Sequence, residues 1–113
     1  MEFSTSLKLN HIFRRLYATS GHANTYLVLY ARRNRSKENR VGLTCGKKLG
    51  HAVVRNRTRR RLREAYRLHE DQLVRGSDIV VVARVRAAFA PYQELERHLL
   101  RTMDKLGLVK RDS

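Results

Sequence analysis

The chain has one cysteine, one proline and only ten acidic residues, and each scarcity closes off a class of function. A lone Cys45 rules out an intramolecular disulfide and a cysteine-rich zinc site. Set among apolar neighbours in Val41-Gly-Leu-Thr-Cys45, it is expected to be a buried structural thiol. The histidines (His11, His22, His51, His69, His98) lack His-x-x-x-His or any similar metal spacing, so surface and packing roles are expected of them. A metal-dependent nuclease needs clustered carboxylates, whereas here the acids are scattered toward element ends and basic neighbours. A glycine-rich loop ending in Lys-Ser or Lys-Thr is missing, as is a nucleophile elbow. No catalytic residue and no metal ligand is therefore assigned to the chain, and any associated activity should draw its catalytic groups from another molecule. Apolar runs fall short of the ~18 residues that a membrane span requires, and the N-terminus lacks a continuous apolar signal core. The expectation is a soluble, cytoplasmic protein with no membrane partner.

What the chain has in abundance is positive charge. Twenty-five Lys and Arg give 113 residues a formal net charge of +15, and that self-repulsion calls for a polyanionic partner, nucleic acid first. The length and 42% apolar content suit one compact domain over residues 1–113, which would bury somewhat over ~60% of its unfolded surface. Residues 1–6 and 110–113 are expected to be flexible.

The spacing of Leu9, Ile12, Phe13, Leu16 and Tyr17 predicts an N-terminal helix, with Asn10 as its cap and Gly21 as its stop. Thr25–Ala31 is β-branched and aromatic and predicts a strand, with Leu27 and Leu29 facing the core and Tyr26, Val28 and Tyr30 facing away. Arg40–Cys45 predicts a second strand, joined to the first as a hairpin across a charged turn. A long helix is expected from about Ala52 to Val74, stopped by Gly76. Ile79–Ala83 has the continuous apolar character of a buried strand, central and parallel to a neighbour. Pro91 opens a last helix in which Tyr92, Leu95, Leu99, Met103 and Leu106 recur at helical spacing. The order α-β-β-α-β-α implies an α+β fold, an α/β sandwich of helices on a small sheet.

Between Arg55 and Arg67 seven residues are arginine and only Glu64 is acidic. On a wheel, Val54, Leu62, Ala65, Tyr66 and Leu73 share one face, while Asn56, Arg59, Arg60, Arg63 and Arg67 gather on the next. A solvated helix face normally mixes signs at i, i+4 spacing, and this one does not. Arginine offers a rigid fork to phosphate oxygens, so the composition favours recognition of a phosphate backbone, with Lys47 and Lys48 extending the surface. Glu64 is spaced to pair with Arg60 or Arg67. Phe13 and Tyr17, one turn apart, could stack unpaired bases or fill the core, and both readings stay open at this point.

The segment Arg40-Val-Gly-Leu-Thr-Cys-Gly-Lys-Lys-Leu-Gly-His-Ala-Val-Val-Arg-Asn-Arg-Thr-Arg-Arg-Arg-Leu-Arg-Glu-Ala-Tyr-Arg67 resembles the signature of the bacterial ribonuclease P protein subunit. Ala52, Val53, Arg55, Asn56, Arg57, Arg59, Arg60, Arg63 and Glu64 fit that family's pattern in register, and the resemblance runs from Leu7 to about Leu108. It implies a fold like that of a ribosomal protein domain, with a left-handed β-α-β crossover where pattern alone favours the right-handed form. It also implies an endonuclease subunit that joins a catalytic RNA to remove the 5′ leader of precursor tRNA, with Mg2+ held mainly by the RNA. By position, Lys47, Lys48, Arg55, Asn56, Arg57, Arg59, Arg60, Arg63 and Arg67 would face the catalytic RNA. Phe13, Tyr17 and Tyr30 would line a cleft for the leader. His51 stands where the family commonly has Asn, and Arg84-Val-Arg86 lacks a proline often found there.

Two other functions fit the charge. A ribosomal or RNA-chaperone protein without associated catalysis would need the same phosphate-binding surface, and fold alone does not separate it from a ribonuclease subunit. A basic-region DNA binder would need heptads after the arginines, where Gly76 stands instead.

Overall fold

The structure is a computed structural model that describes residues 4–6 and 21–110. The helix expected over Leu9–Gly21, with Phe13 and Tyr17, lies outside the described residues up to Ser20. Five strands form one sheet: β1 (Ser4–Ser6), β2 (His22–Ala23), β3 (Leu27–Arg33), β4 (Asn39–Cys45) and β5 (Ser77–Ala83). Two helices, α1 (Ala52–His69) and α2 (Tyr92–Lys105), complete the described elements together with short 3₁₀ turns.

The strand order is β1-β4-β5-β3-β2, which places β5 between β3 and β4. The hairpin expected of β3 and β4 is therefore wrong. Ile79, Val80 and Val81 are fully buried, and a strand that apolar on both faces is best placed centrally with ladders on both edges. It pairs antiparallel with β3 and parallel with β4. A parallel pair cannot close through a tight turn, so α1 supplies the crossover between β4 and β5.

The charged segment after β3 crosses the start of β5. Asn34 donates its amide to the Gly76 carbonyl at 2.9 Å and its side-chain nitrogen to Asp78 Oδ1 at 3.0 Å. The Ser77 amide donates to Asn39 Oδ1 at 2.9 Å, and Arg40 grips both Asp78 oxygens at 2.6 and 2.7 Å. Gly76, expected to stop a helix, serves this crossing. Its φ is +96°, and a Cβ there would lie 2.6 Å from the Ser36 carbonyl oxygen.

Residues 4–6 were expected to be a flexible arm, yet Ser4–Ser6 pair in parallel with Asn39–Val41 and cover the outer edge of β4. At the other end the Lys110 amide donates to the Gln72 carbonyl at 2.7 Å, so the frayed tail expected from 110 is tied at its first residue. This same segment explains why α1 ends at His69 rather than Val74. Leu73 bridges Val109, and the Val74 amide donates to the Leu108 carbonyl at 2.7 Å, which is strand-like pairing that a continued helix would forbid.

The core lies between the sheet and the two helices. Leu27, Leu29, Val41, Cys45, Ile79, Val81 and Ala83 from the sheet meet Leu62, Ala65 and Tyr66 of α1 and Leu95, Leu99 and Met103 of α2. Val28, Tyr30, Gly42, Thr44, Val80 and Val82 alternate onto the opposite face. Tyr26 does not join Tyr30 there. It precedes β3 and packs edge-on against His98 of α2 at 4.8 Å, on the helix side.

Candidate nucleic-acid interface

The arginine helix divides as an amphipathic helix must, with one correction to the packing stripe. Leu62, Ala65 and Tyr66 are buried as expected, Val54 is half-buried, and Thr58 joins them because its hydroxyl bonds the Val54 carbonyl at 2.9 Å. Leu73 is buried too, but from beyond the helix. Asn56, Arg57, Arg60, Arg63 and Arg67 are exposed, as are Lys47 and Lys48 on the preceding 3₁₀ turn, Lys47–Leu49.

The remaining arginines are more constrained. Arg59 is half-buried and donates to Asn56 Oδ1 at 3.2 Å, which holds the two side chains as a unit. Arg55 is half-buried, and its Nε is shielded from solvent without a hydrogen-bond partner. Both guanidinium groups act on Cys45, whose thiol is pushed up by burial and only partly drawn back by Arg59 and Arg55. Cys45 is thus the buried, unreactive thiol expected. Arg61 turns away and donates to the Ala90 carbonyl at 2.9 Å, fastening α1 to the segment before α2.

Glu64 pairs with Arg67, at 2.6 and 3.2 Å through two guanidinium nitrogens, rather than with Arg60. That bond lowers the Glu64 carboxyl below its ordinary range and raises Arg67. Arg67 is thus partly neutralised, while Arg57, Arg60 and Arg63 have no ion pair within 4.0 Å among the described residues. At the N-terminal end His51 occupies the cap position without a side-chain cap bond, and the first turn carries no acid. The positive end of the helix dipole is left open beside Lys47 and Lys48, adding to a field that attracts anions.

Tyr30 lies elsewhere, on the sheet face turned away from α1 and α2. It is half-buried in the row Tyr30–Val80–Gly42, and a Cβ on Gly21 would lie 2.5 Å from its ring. Phe13 and Tyr17 belong to the residues outside the description, so Tyr30 alone marks that surface among the aromatic residues assigned to the cleft. Among the described residues no three His, Cys, Asp or Glu side chains are grouped to hold a metal ion, and no helix is long and apolar enough to cross a membrane.

A half-exposed basic helix over a sheet whose other face carries a tyrosine is a combination that can be compared with known proteins. The ribonuclease P family model matches residues 1–107. The chain belongs to the ribonuclease P protein family. The ribonuclease P protein component of Natranaerobius thermophilus is 38% identical over 108 residues, covering 95% of this chain and 94% of its own. That of Clostridioides difficile is 40% identical over 103 residues, covering 88% and 90%. The Staphylococcus aureus RNase P protein superposes with a TM-score of 0.84 at 29% identity, over 93% of this chain and 97% of that one. The Thermotoga maritima RNase P protein gives 0.80 at 26% identity, over 88% and 96%.

Three features of the fold and its surface carry no signal in the sequence. Asn34, Asn39 and Arg40 carry no periodic signal, because their partners on β5 lie about forty positions away. Arg61 belongs to the arginine run but not to the residues expected to face RNA, and its bond to the Ala90 carbonyl is set by packing that no local pattern shows. Phe89, at 80% exposure the most exposed large apolar side chain described, stood unnoticed in a stretch of alanines.

Proposed function

We propose that the chain serves as the protein subunit of ribonuclease P, binding a catalytic RNA through α1 and the 5′ leader of precursor tRNA on the opposite sheet face. The observation that carries this reading is the stripe of Arg57, Arg60 and Arg63 on one exposed helix face, with Glu64, the helix's sole acid, turned to Arg67. Guanidinium forks without acidic partners suit phosphate oxygens, and family membership makes the catalytic RNA the phosphate source. The cut itself is assigned to the RNA, which would hold the Mg2+, because the described residues of this chain offer neither a metal cluster nor a nucleophile with its base. The protein's part is to neutralise phosphate repulsion and to position the substrate.

Tyr30, together with Phe13 and Tyr17, is proposed to receive unpaired leader bases, each stack contributing roughly 1–3 kcal/mol. Reconstitution with a catalytic RNA and precursor tRNA tests the whole reading, with the cut mapped at the mature 5′ end. Tyr30→Ala should weaken precursor binding and leave mature tRNA binding unchanged. Failure to stimulate leader removal at any magnesium concentration, with ribosomal RNA bound instead, would favour the ribosomal or chaperone role.

A further inference from the structure

Beside the arginine stripe runs a groove of about 600 Å³, with Arg57, Arg60 and Arg61 on one wall and residues 88–91 on the other. Phe89 projects from the second wall. Single exposed apolar residues are ordinary and need no explanation, so exposure alone decides nothing. What sets Phe89 apart is its mounting and its company. Ala88 and Ala90 on either side are 3% and 5% exposed, so the backbone that carries the ring is anchored in the core. The Arg61 bond to the Ala90 carbonyl fixes this wall to α1. Pro91, with φ of −60°, stiffens the chain immediately beyond. The ring is thereby carried on an anchored backbone across from Arg57 and Arg60, in a groove whose lining contains no acid.

We infer that this groove takes an unpaired nucleotide of the RNA bound by α1, its base stacked on Phe89 and its flanking phosphates held by Arg57 and Arg60. The inference rests on the proposed function for the identity of that RNA, the catalytic RNA rather than the precursor. A rigid aromatic beside unpaired arginines is the arrangement that recognises a splayed-out base, since every base offers a π-face and every nucleotide a phosphate. A protein partner would need to bring acidic side chains to the same groove, whereas RNA supplies its negative charge at every residue. Arg57 and Arg60 also belong to the stripe already assigned to the catalytic RNA, so the groove continues that surface.

The test compares two hairpin RNAs of one stem sequence, fully paired or carrying a single bulged adenosine, binding to the full chain and to Phe89→Ala, Phe89→Leu and Phe89→Trp. Phe89→Ala and Phe89→Leu should weaken binding of the bulged hairpin by about five- to a hundredfold and leave the paired one unchanged, whereas Phe89→Trp should hold its affinity. Arg60→Ala should weaken both hairpins and flatten the salt dependence. In the assembled enzyme, Phe89→Ala should raise the protein concentration needed for half-maximal assembly with the catalytic RNA while KM for precursor tRNA stays the same at saturating protein. Retention of binding by Phe89→Leu, equal losses on both hairpins or no loss on either would overturn the inference. So would a loss confined to precursor KM, or a change in self-association with RNA binding intact. If the unmutated chain discriminates the hairpins yet never assembles with a catalytic RNA, the proposed function fails and the nucleotide site survives.

Discussion

The two helices α1 and α2 lie on the same side of one sheet and bury comparable stripes, yet their outer faces are built on opposite plans. Along α1 seven arginines face one glutamate, and Arg57, Arg60 and Arg63 have no acidic partner among the described residues. Along α2 Glu94, Glu96 and Asp104 match Arg97, Arg101 and Lys105 in number, so acid balances base on that helix. Arg97 meets Glu94 at 2.6 Å, while His69 of α1 and the Tyr92 hydroxyl both reach Glu96. What separates the two helices is therefore the balance of acid to base along each, not the presence of cations. Exposed pairs such as those on α2 contribute little to stability but cancel the local field, whereas the α1 stripe leaves its field for a ligand.

The largest effects should come from where the helices are alike. Leu62→Ala on α1 and Leu99→Ala on α2 each remove a side chain that is at most 1% exposed and should each cost about 2–5 kcal/mol in urea denaturation. A much smaller cost on α1 would mean that its seating depends on bound RNA rather than on the core.

The comparison breaks or holds on the next pair of variants. Arg60→Ala with Arg63→Ala should weaken RNA binding by tenfold or more, since each charged hydrogen bond is worth roughly 1.5–3 kcal/mol, and should lower the slope of log affinity against log salt by about one per phosphate contact. Arg97→Ala on α2 removes a cation already paired with Glu94 and should leave that slope nearly unaltered. Equal losses from both helices would show that net charge, not the unpaired stripe, governs binding.

Arg67 sharpens the point within α1. Its guanidinium is already held by Glu64, so Arg67→Ala should weaken RNA binding less than Arg60→Ala, and Glu64→Gln should strengthen binding by freeing it. Titration of the parent protein and the single variants at one salt concentration distinguishes these ranks.

The smallest effect is a pH dependence. Bonding to Arg67 lowers the Glu64 carboxyl from an ordinary 4.5, so the folded state binds this proton less readily than the unfolded chain. The stabilising contribution is present above the unfolded value and is lost as pH falls through the lowered one. Because the pair is about half exposed to solvent, the gap in melting temperature between the parent and Glu64→Gln should be slight at pH 6 and close on acidification. A gap that widened toward acid would contradict the assignment.

Much of this arrangement was legible along the chain, and what was not legible has a common physical cause. The apolar periods of α1 and α2, the buried character of β5 and the arginine stripe are local patterns, so they could be read before any partner was placed. The hairpin between β3 and β4 failed because adjacency in sequence was taken for adjacency in the sheet, and nothing local says that β5 will enter between them. The α1 terminus failed likewise, since Leu73 and Val74 are held by Leu108 and Val109 rather than by their neighbours. Tyr26 and Tyr30 were expected on one face, but Tyr26 lies before β3 begins and packs against His98 on the helix side.

The sequence by itself determined the family, through residues that match its signature in register, and the chemistry of the α1 surface, through the near absence of acid among its arginines. Tertiary structure alone decided which arginines are free for a ligand. Arg61 bonds the Ala90 carbonyl, Arg67 pairs with Glu64, and Arg55 and Arg59 are half-buried, whereas Arg57, Arg60 and Arg63 are exposed. It also set Phe89 across a groove from two of them. The reason is that residue type and helical spacing are carried by the chain one turn at a time, whereas a carbonyl twenty-nine residues away becomes a partner only when packing of α1 against the segment before α2 brings the two within hydrogen-bond reach.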